Sequence, residues 1–184
     1  MALSCKEIVL GRQSSLGPVD PQIAGMPAQG LIEEFERIKL DVTHNPNMIH
    51  VWQPMLQKWW PTLLTSSQHV VDWADQLLRD YLANCMFAEL DEDERKARIE
   101  KVADLLGKQK TSKAHNRHIS QSKAKDLGIK VVDLEADQKL QDNVVTLHHA
   151  MTHTFMQTGA FKIIENHKGI AYINQVQVLR AMTQ

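Results

Sequence analysis

The stretch that decides the fold is Ser14-Ser15-Leu16-Gly17-Pro18-Val19-Asp20-Pro21-Gln22, which comes just after the apolar run Ile8-Val9-Leu10-Gly11. Its prolines, glycine, aspartate and serines cannot continue a helix or an interior strand, because proline lacks the N–H and glycine and aspartate favour turns. We therefore predict that a buried strand ends here and that a rigid loop follows at the edge of a sheet. Loops at that edge usually carry the chemistry of α/β folds, although an ordinary proline-stiffened connection has the same composition.

Outside this stretch, the pattern of apolar residues predicts mostly helices. The predicted elements are a strand over 7–10, a loop over 14–27, helices over 30–42, 62–89, 91–107, 122–127 and 137–157, a short strand over 129–132 and a hairpin over 161–173. Asp91 is the expected N-cap of one helix, with Glu94 completing a capping box. Gly169 is expected in the left-handed position of the hairpin turn. The fold class is therefore a helix-rich α/β fold.

The chain has 184 residues, which suits one domain with a sizeable core. We divide it into three segments: 1–45 with the proline-rich loop, a helical section over 46–110, and 111–184 with the last long helix and the hairpin. Four tryptophans lie in the helical section, where core packing is the expected role. The pair Trp59-Trp60 would serve as an oligomer contact if it were exposed.

Charge and cysteine content limit the possible partners. The formal net charge of −1 provides no concentrated positive field for nucleic acid or an anionic membrane, so neither partner is expected. No apolar run approaches the ~20 residues that cross a bilayer. Cys5 and Cys85 are expected to be reduced core residues of a cytoplasmic protein, and a disulfide between them is the alternative that only their geometry decides.

Nine histidines raise the possibility of a bound metal. His149 and His153 are four residues apart on a predicted helix, and His115 and His118 are also close in sequence. The motif His-Glu-x-x-His is absent, and no cysteine pair indicates a structural zinc site. We expect core or interface histidines, no metal and no cofactor.

Several blocks of the chain resemble the serine dehydrogenase proteinase family, which is related to signal peptide peptidase A and, more distantly, to the Clp protease proteolytic subunit. The matching blocks occur in the family's order and cover residues 6–22, 27–35, 112–119 and 158–167. The resemblance implies the C-terminal part of a crotonase/Clp-like core of β-β-α turns. It also implies a serine peptidase that cleaves peptide bonds through an acyl-enzyme and assembles into homo-oligomers. Whether the parent protein is tethered to a membrane stays open.

One departure from the family matters for activity. The family's glycine-rich segment and nucleophilic serine precede the residues that align with Met1, and Met1-Ala2-Leu3 is predicted to be the last turn of a helix that begins further forward. We therefore expect that this chain by itself does not hydrolyse peptides and that a fluorophosphonate does not label it. The alternative is a non-catalytic assembly or regulatory module derived from the family.

The resemblance places Asp20, Ser14, Ser15 and Gly17 at the border of the substrate cleft. Lys39 is a candidate proton acceptor, because its spacing from the family's serine is similar to that in lysine-dependent relatives. A lysine needs desolvation to act as a base, and a surface lysine is the alternative. Asp20 is a candidate catalytic residue, with a turn cap before proline as the alternative role. No histidine lies between Met1 and Val42, so a histidine base on this loop is not expected.

Overall fold

The computed structural model describes residues 1–106 and 118–176, and the chain forms two compact units, 1–133 and 134–184. The helix-rich α/β class is confirmed. The strands are β1 Ile8–Leu10, β2 Ser15–Leu16, β3 Gln22–Ile23, β4 Met26–Pro27, β5 Ile119–Ser120, β6 Val131–Asp133, β7 Ala160–Glu165 and β8 Ala171–Gln175. The helices are α1 Ala28–His44, α2 Ile49–Leu56, α3 Leu63–Tyr81, α4 Glu92–Leu106, α5 Gln121–Asp126 and α6 Gln138–Gln157.

The first unit is organised around two strand pairs that join its beginning to its end. Strand β1 runs parallel to β6, with Ile8 opposite Val131, and β2 runs antiparallel to β5, with Ser15 opposite Ser120. The side chain of Gln121 donates to the Leu10 carbonyl at 2.7 Å, which fastens the start of α5 to the end of β1. Residues 119–133 therefore position the loop that follows β1.

One apolar core stabilises this unit, and residues from all three predicted segments contribute to it. Its buried members are Ile8, Leu10, Leu78, Leu82, Met86, Phe87, Ile99, Val102, Ala103, Leu106, Ile119, Ala124, Leu127 and Ile129. A fully buried aliphatic or aromatic side chain contributes about 1.5–3 kcal/mol relative to an exposed one. The core therefore holds the strand pairs against α3, α4 and α5.

Helix α1 begins at Ala28, earlier than the predicted start at Gly30, because Pro27 has the extended backbone of an N-cap and cannot itself continue a helix upstream. The sequence predicts that one face of this helix carries Leu31, Phe35, Ile38 and Val42; Leu31 and Ile38 are buried, and Phe35 and Val42 are half-buried. The Phe35 ring packs on Trp59 with ring centroids 4.8 Å apart. The predicted helix stripe thus correctly identified the face of α1 that packs inward.

Two predicted helix details need correction. The single helix over 62–89 is interrupted, since α3 ends at Tyr81 and a π-helical turn over Leu82–Met86 brings Phe87 into the core. Asp91 does cap α4, because its carboxylate accepts from the Glu94 N–H at 3.0 Å. The predicted capping box does not form, since the Glu94 carboxylate pairs with Arg98. The predicted end of α4 at Gly107 lies outside the described residues.

The second unit consists of α6 and the hairpin β7–β8. Asp137 caps α6 through a 3.0 Å bond from the Leu140 N–H, and the predicted hairpin is confirmed, with Gly169 at a φ of 75°. None of the described residues 134–176 is buried. This unit therefore has no apolar core of its own among those residues.

The cysteine and tryptophan expectations also change. Cys5 is exposed and Cys85 half-buried, and both are free, so the expected core position is wrong for Cys5. Trp73 is 65% exposed rather than packed in the core. In the described part of the chain, no helix combines the length and apolar character required to cross a bilayer.

Candidate functional site

The short pair β2–β5 brings a serine and a histidine together. Successive side chains of a strand point to opposite faces, so Leu16 and Ile119 face inward while Ser15 and Ser120 face outward. His118 precedes Ile119 and is exposed as well. As a result Ser15 Oγ and His118 Nδ1 lie 3.1 Å apart and form a hydrogen bond between residues that are far apart in sequence.

This pair lines an open polar pocket of about 410 Å³. The pocket is lined by Arg12, Gln13, Ser14, Ser15, His118 and Ser120. Every one of these side chains carries a hydrogen-bond donor, Arg12 adds a full positive charge, and no carboxylate is among the described lining residues. The pocket therefore suits a polar group that is negatively charged or becomes so during a reaction.

The predicted cleft residues on this loop separate into two groups. Ser14 and Ser15 line the polar pocket. Gly17 follows in open space, where an added Cβ meets no atom within 4 Å, and Asp20 is half-buried further along the loop. Neither Gly17 nor Asp20 lines the polar pocket. The structure thus brings together the two serines of the predicted set.

Lys39 lies away from the environment that its predicted role requires. Its side chain is 73% exposed, and its Nζ is 3.5 Å from Glu36 Oε2 on the next turn of α1. A lysine acts as a base where burial favours its neutral amine, and this exposure does not provide such burial. The surface lysine, which was the alternative interpretation, describes the observed position.

A second pocket, of about 380 Å³, is bordered by the later residues of the proline-rich loop. Val19, Pro21 and Gln22 form one wall, and α3 forms another with Val70, Trp73, Leu77 and Tyr81; Met1 and Leu3 also contribute. This lining is mostly apolar. One loop therefore borders both a polar pocket and an apolar pocket within a few residues.

No group of three or more histidine, cysteine, aspartate or glutamate side chains is placed to hold a metal ion among the described residues. The rings of His148 and His149 lie side by side on α6, with centroids 6.1 Å apart. His115, one member of the second histidine pair considered from the sequence, lies outside the described residues.

The sequence-based interpretation considered His118 only as a candidate metal ligand and did not consider it as a base. A histidine base was not expected because none lies between Met1 and Val42, but His118 comes from the far end of the unit, directly before β5. The alternation His118-Ile119-Ser120, polar on both sides of a buried isoleucine, is the signal for an outward-facing histidine. The sequence has no signal for which strand pairs with β5, so it could not place His118 beside Ser15.

Comparisons with protein-family models, with curated proteins and with solved structures each find no match.

Proposed function

We propose that this chain is the C-terminal portion of a serine peptidase of the signal-peptide-peptidase type, and that the loop after β1 borders its peptide-binding cleft. The observation that supports the proposal best is the polar pocket, because Ser14 and Ser15 of the matched block line it together with His118. We also propose that the helix-rich α/β fold is the C-terminal part of a crotonase/Clp-like β-β-α core. The parallel pairing of β1 with β6, directly after α5, is compatible with it.

The chemistry proposed for the parent enzyme is acyl transfer. A serine hydroxyl attacks the peptide carbonyl, a neighbouring base accepts its proton, and water then releases the acyl group. The family's nucleophilic serine has no counterpart in the matched blocks of this chain. We accordingly retain the expectation that these 184 residues alone do not hydrolyse peptides, together with the proposed cytoplasmic location.

The two pockets on one loop support a peptide as the substrate class. From Ser15 to Val19 the chain spans at most about 14 Å, which an extended peptide covers in about four residues. A peptide whose backbone lies at the polar pocket can therefore place an apolar side chain against Trp73. Peptide-binding grooves commonly combine polar groups that fix the backbone with apolar pockets for side chains.

Photo-crosslinking tests this proposal on the full chain. A casein-derived peptide with a diazirine-bearing leucine should crosslink to residues 12–22 and to the neighbouring face of α3, as mapped by mass spectrometry. Trp73→Ala should weaken peptide binding roughly tenfold, the usual loss for a buried aromatic contact. Trp60→Ala is the matched control, because Trp60 is 43% exposed but does not line the pocket.

Crosslinks scattered over the surface, or equal effects of the two tryptophan variants, would contradict a cleft at this loop. The parent enzyme has a separate test in the DNA upstream of the Met1 codon. An in-frame extension that encodes glycines and a serine supports the peptidase, whereas an in-frame stop codon supports the non-catalytic module.

The second candidate function is a non-catalytic assembly module, and the exposed apolar surface of the second unit favours it. Ile164 and Tyr172 are directly opposite each other on β7 and β8 and are 58% and 59% exposed. Ile170 and Phe161 are exposed as well. Apolar surface of this kind marks protein–protein contacts, and a second copy of the chain is the proposed partner.

Light scattering coupled to size-exclusion chromatography tests self-association. The double variant Ile164→Thr/Tyr172→Thr keeps β-forming residues but removes the apolar pair, and it should raise the dissociation constant at least tenfold. Val51→Thr is the control, since Val51 is 63% exposed but belongs to the first unit. A monomeric wild-type chain at all concentrations would contradict the module.

A further inference from the structure

We propose that Ser15 is itself a nucleophile with His118 as its base, so that this chain forms a covalent adduct with activated acyl and phosphonyl compounds. The inference rests on the Ser15–His118 geometry and does not require the peptidase proposal. It replaces the sequence-based expectation that a fluorophosphonate leaves the chain unlabelled. Peptide hydrolysis remains unexpected, because an amide is a far poorer acyl donor than an activated ester.

The geometry fits the requirement for an activated serine. A nucleophile and its base must lie within hydrogen-bond reach, about 2.6–3.2 Å, and Ser15 Oγ and His118 Nδ1 are 3.1 Å apart. Both side chains are exposed, so a reagent reaches the hydroxyl directly. The pair is held on backbone that is fixed by β2–β5 pairing, and the inward-facing Ile119 anchors β5 in the core.

The pocket around the pair also suits the charge that develops on the reagent. Attack on a carbonyl or phosphoryl group places negative charge on its oxygen, and fixed donors or cations stabilise that charge. Arg12, Gln13, Ser14 and Ser120 supply such groups around the hydroxyl. No carboxylate among the described lining residues opposes the charge.

The proposed reaction begins in the His118 tautomer that carries its proton on Nε2, so that the Ser15 hydroxyl donates to Nδ1. As Oγ bonds to the carbonyl carbon of a p-nitrophenyl ester, its proton moves to Nδ1 and the carbonyl π electrons move to oxygen. When the carbonyl re-forms, p-nitrophenolate leaves with the electrons of the broken C–O bond. The imidazolium then loses its proton to water. With a fluorophosphonate, the P–O bond forms and fluoride leaves.

Labelling of the full 184-residue chain with fluorophosphonate–rhodamine tests the inference. We expect one labelled site, mapped by mass spectrometry to Ser15, and no label at that position in Ser15→Ala. His118→Ala should slow labelling at least 100-fold, within the usual range for removal of a general base. Added imidazole should restore part of the rate in His118→Ala, which a purely structural role of His118 would not produce.

Two control variants separate this pair from other serines and histidines. Ser122→Ala removes an exposed hydroxyl that forms a 3.0 Å hydrogen bond with the Ser120 hydroxyl rather than with an imidazole. His153→Ala removes an exposed histidine of α6. Both should label at the wild-type rate, and circular dichroism should show all four variants folded. A burst of p-nitrophenolate from p-nitrophenyl acetate, absent in Ser15→Ala, provides an independent measurement.

No labelling of the folded wild-type chain, labelling at another serine, or an unchanged rate in His118→Ala would overturn the inference. None of these results affects the peptide crosslinking test, which requires no reaction at Ser15. The peptide-binding proposal and the nucleophile proposal therefore fail or succeed separately.

Discussion

The two units of this chain use similar apolar residues with opposite results. Every buried apolar residue of the described chain lies in the first unit, where helices and strand pairs enclose a common core. The described part of the second unit contains leucines, valines, phenylalanines and isoleucines, yet none is buried. Among residues 134–176, α6 and the hairpin enclose no side chain between them. The comparison shows that apolar composition predicts burial only where the topology provides a second layer.

Two phenylalanine substitutions, one in each unit, test this comparison. They have the largest expected effect on the free energy of unfolding. Phe87 is fully buried in the first unit, whereas Phe161 on β7 is 62% exposed. Phe87→Ala should lower the free energy of unfolding by about 3–5 kcal/mol, and Phe161→Ala by no more than about 0.5 kcal/mol. Urea denaturation measures both. Equal losses of unfolding free energy would contradict the comparison, because they would show that Phe161 stabilises the protein as much as Phe87 does.

Two glycines with left-handed backbone conformations, one in each unit, provide a second test of the comparison. Gly128 has a φ of 82°, and a Cβ added there would lie 3.1 Å from Arg98 Nη1, while Gly169 has a φ of 75° and open space around it. Backbone strain of about 1 kcal/mol is common to both alanine variants. Because Arg98 must also move, Gly128→Ala should cost about 1–2 kcal/mol in urea denaturation.

Gly169→Ala should instead show its effect locally, as faster amide exchange in β7 and β8. Gly17→Ala is the control, since Gly17 has neither a positive φ nor a close neighbour. A smaller loss for Gly128→Ala than for Gly17→Ala would contradict the strain argument.

Removal of the ion pair between α3 and α4 has a smaller expected effect on the free energy of unfolding. Arg79 of α3 donates to Asp75 at 2.7 Å and to Glu100 of α4 at 2.5 Å. Hydrogen bonds to Glu100 and Asp75 raise the pKa of Arg79 above its ordinary, already high value. A raised pKa stabilises the fold at every pH below the unfolded value, and the contribution is lost only as pH rises through the folded value.

Arg79→Gln should therefore lower the free energy of unfolding by about 1 kcal/mol, and by the same amount at pH 6 and pH 9. Urea denaturation at the two pH values measures this. A loss that differs between them would show that the guanidinium does not remain charged throughout this range.

The smallest expected effect comes from the first turn of α4. A hydrogen bond from Lys96 Nζ, 2.5 Å from Glu92 Oε1, lowers the pKa of Glu92 below its ordinary value. A lowered carboxyl pKa stabilises the fold above the unfolded value of about 4.3, and the contribution is lost as pH falls through the folded value. Glu92→Gln should therefore have a slightly lower melting temperature than wild type at pH 7. The difference should shrink as pH falls below the unfolded value and through the lowered folded value, and a difference that does not change with pH would rule out the ion pair as its cause.

Local signals predicted the elements that depend on neighbouring residues. The stripe of Leu31 and Ile38 gave the buried face of α1, and Asn166-His167-Lys168-Gly169 gave the hairpin turn. Long-range pairing left no such signal, because β5 and β6 contribute only two and three residues to their pairs. The Ser15–His118 contact follows from that pairing, so the sequence predicted Ser15 at the site but did not predict His118 as its partner. Lys39 was proposed from its spacing in the sequence, and its 73% exposure shows that spacing does not determine burial.

The parallel pairing of β1 with β6 has a consequence for how the protein is made. Ile8 meets Val131, so closing this contact requires ordering a loop of about 120 residues. The entropy of that closure exceeds the cost for a ten-residue hairpin by about 2 kcal/mol. A nascent chain on the ribosome cannot form the pair until residue 133 has left the exit tunnel. The edge of β1 that pairs with β6 therefore stays unpaired during the synthesis of the roughly 120 residues between the two strands.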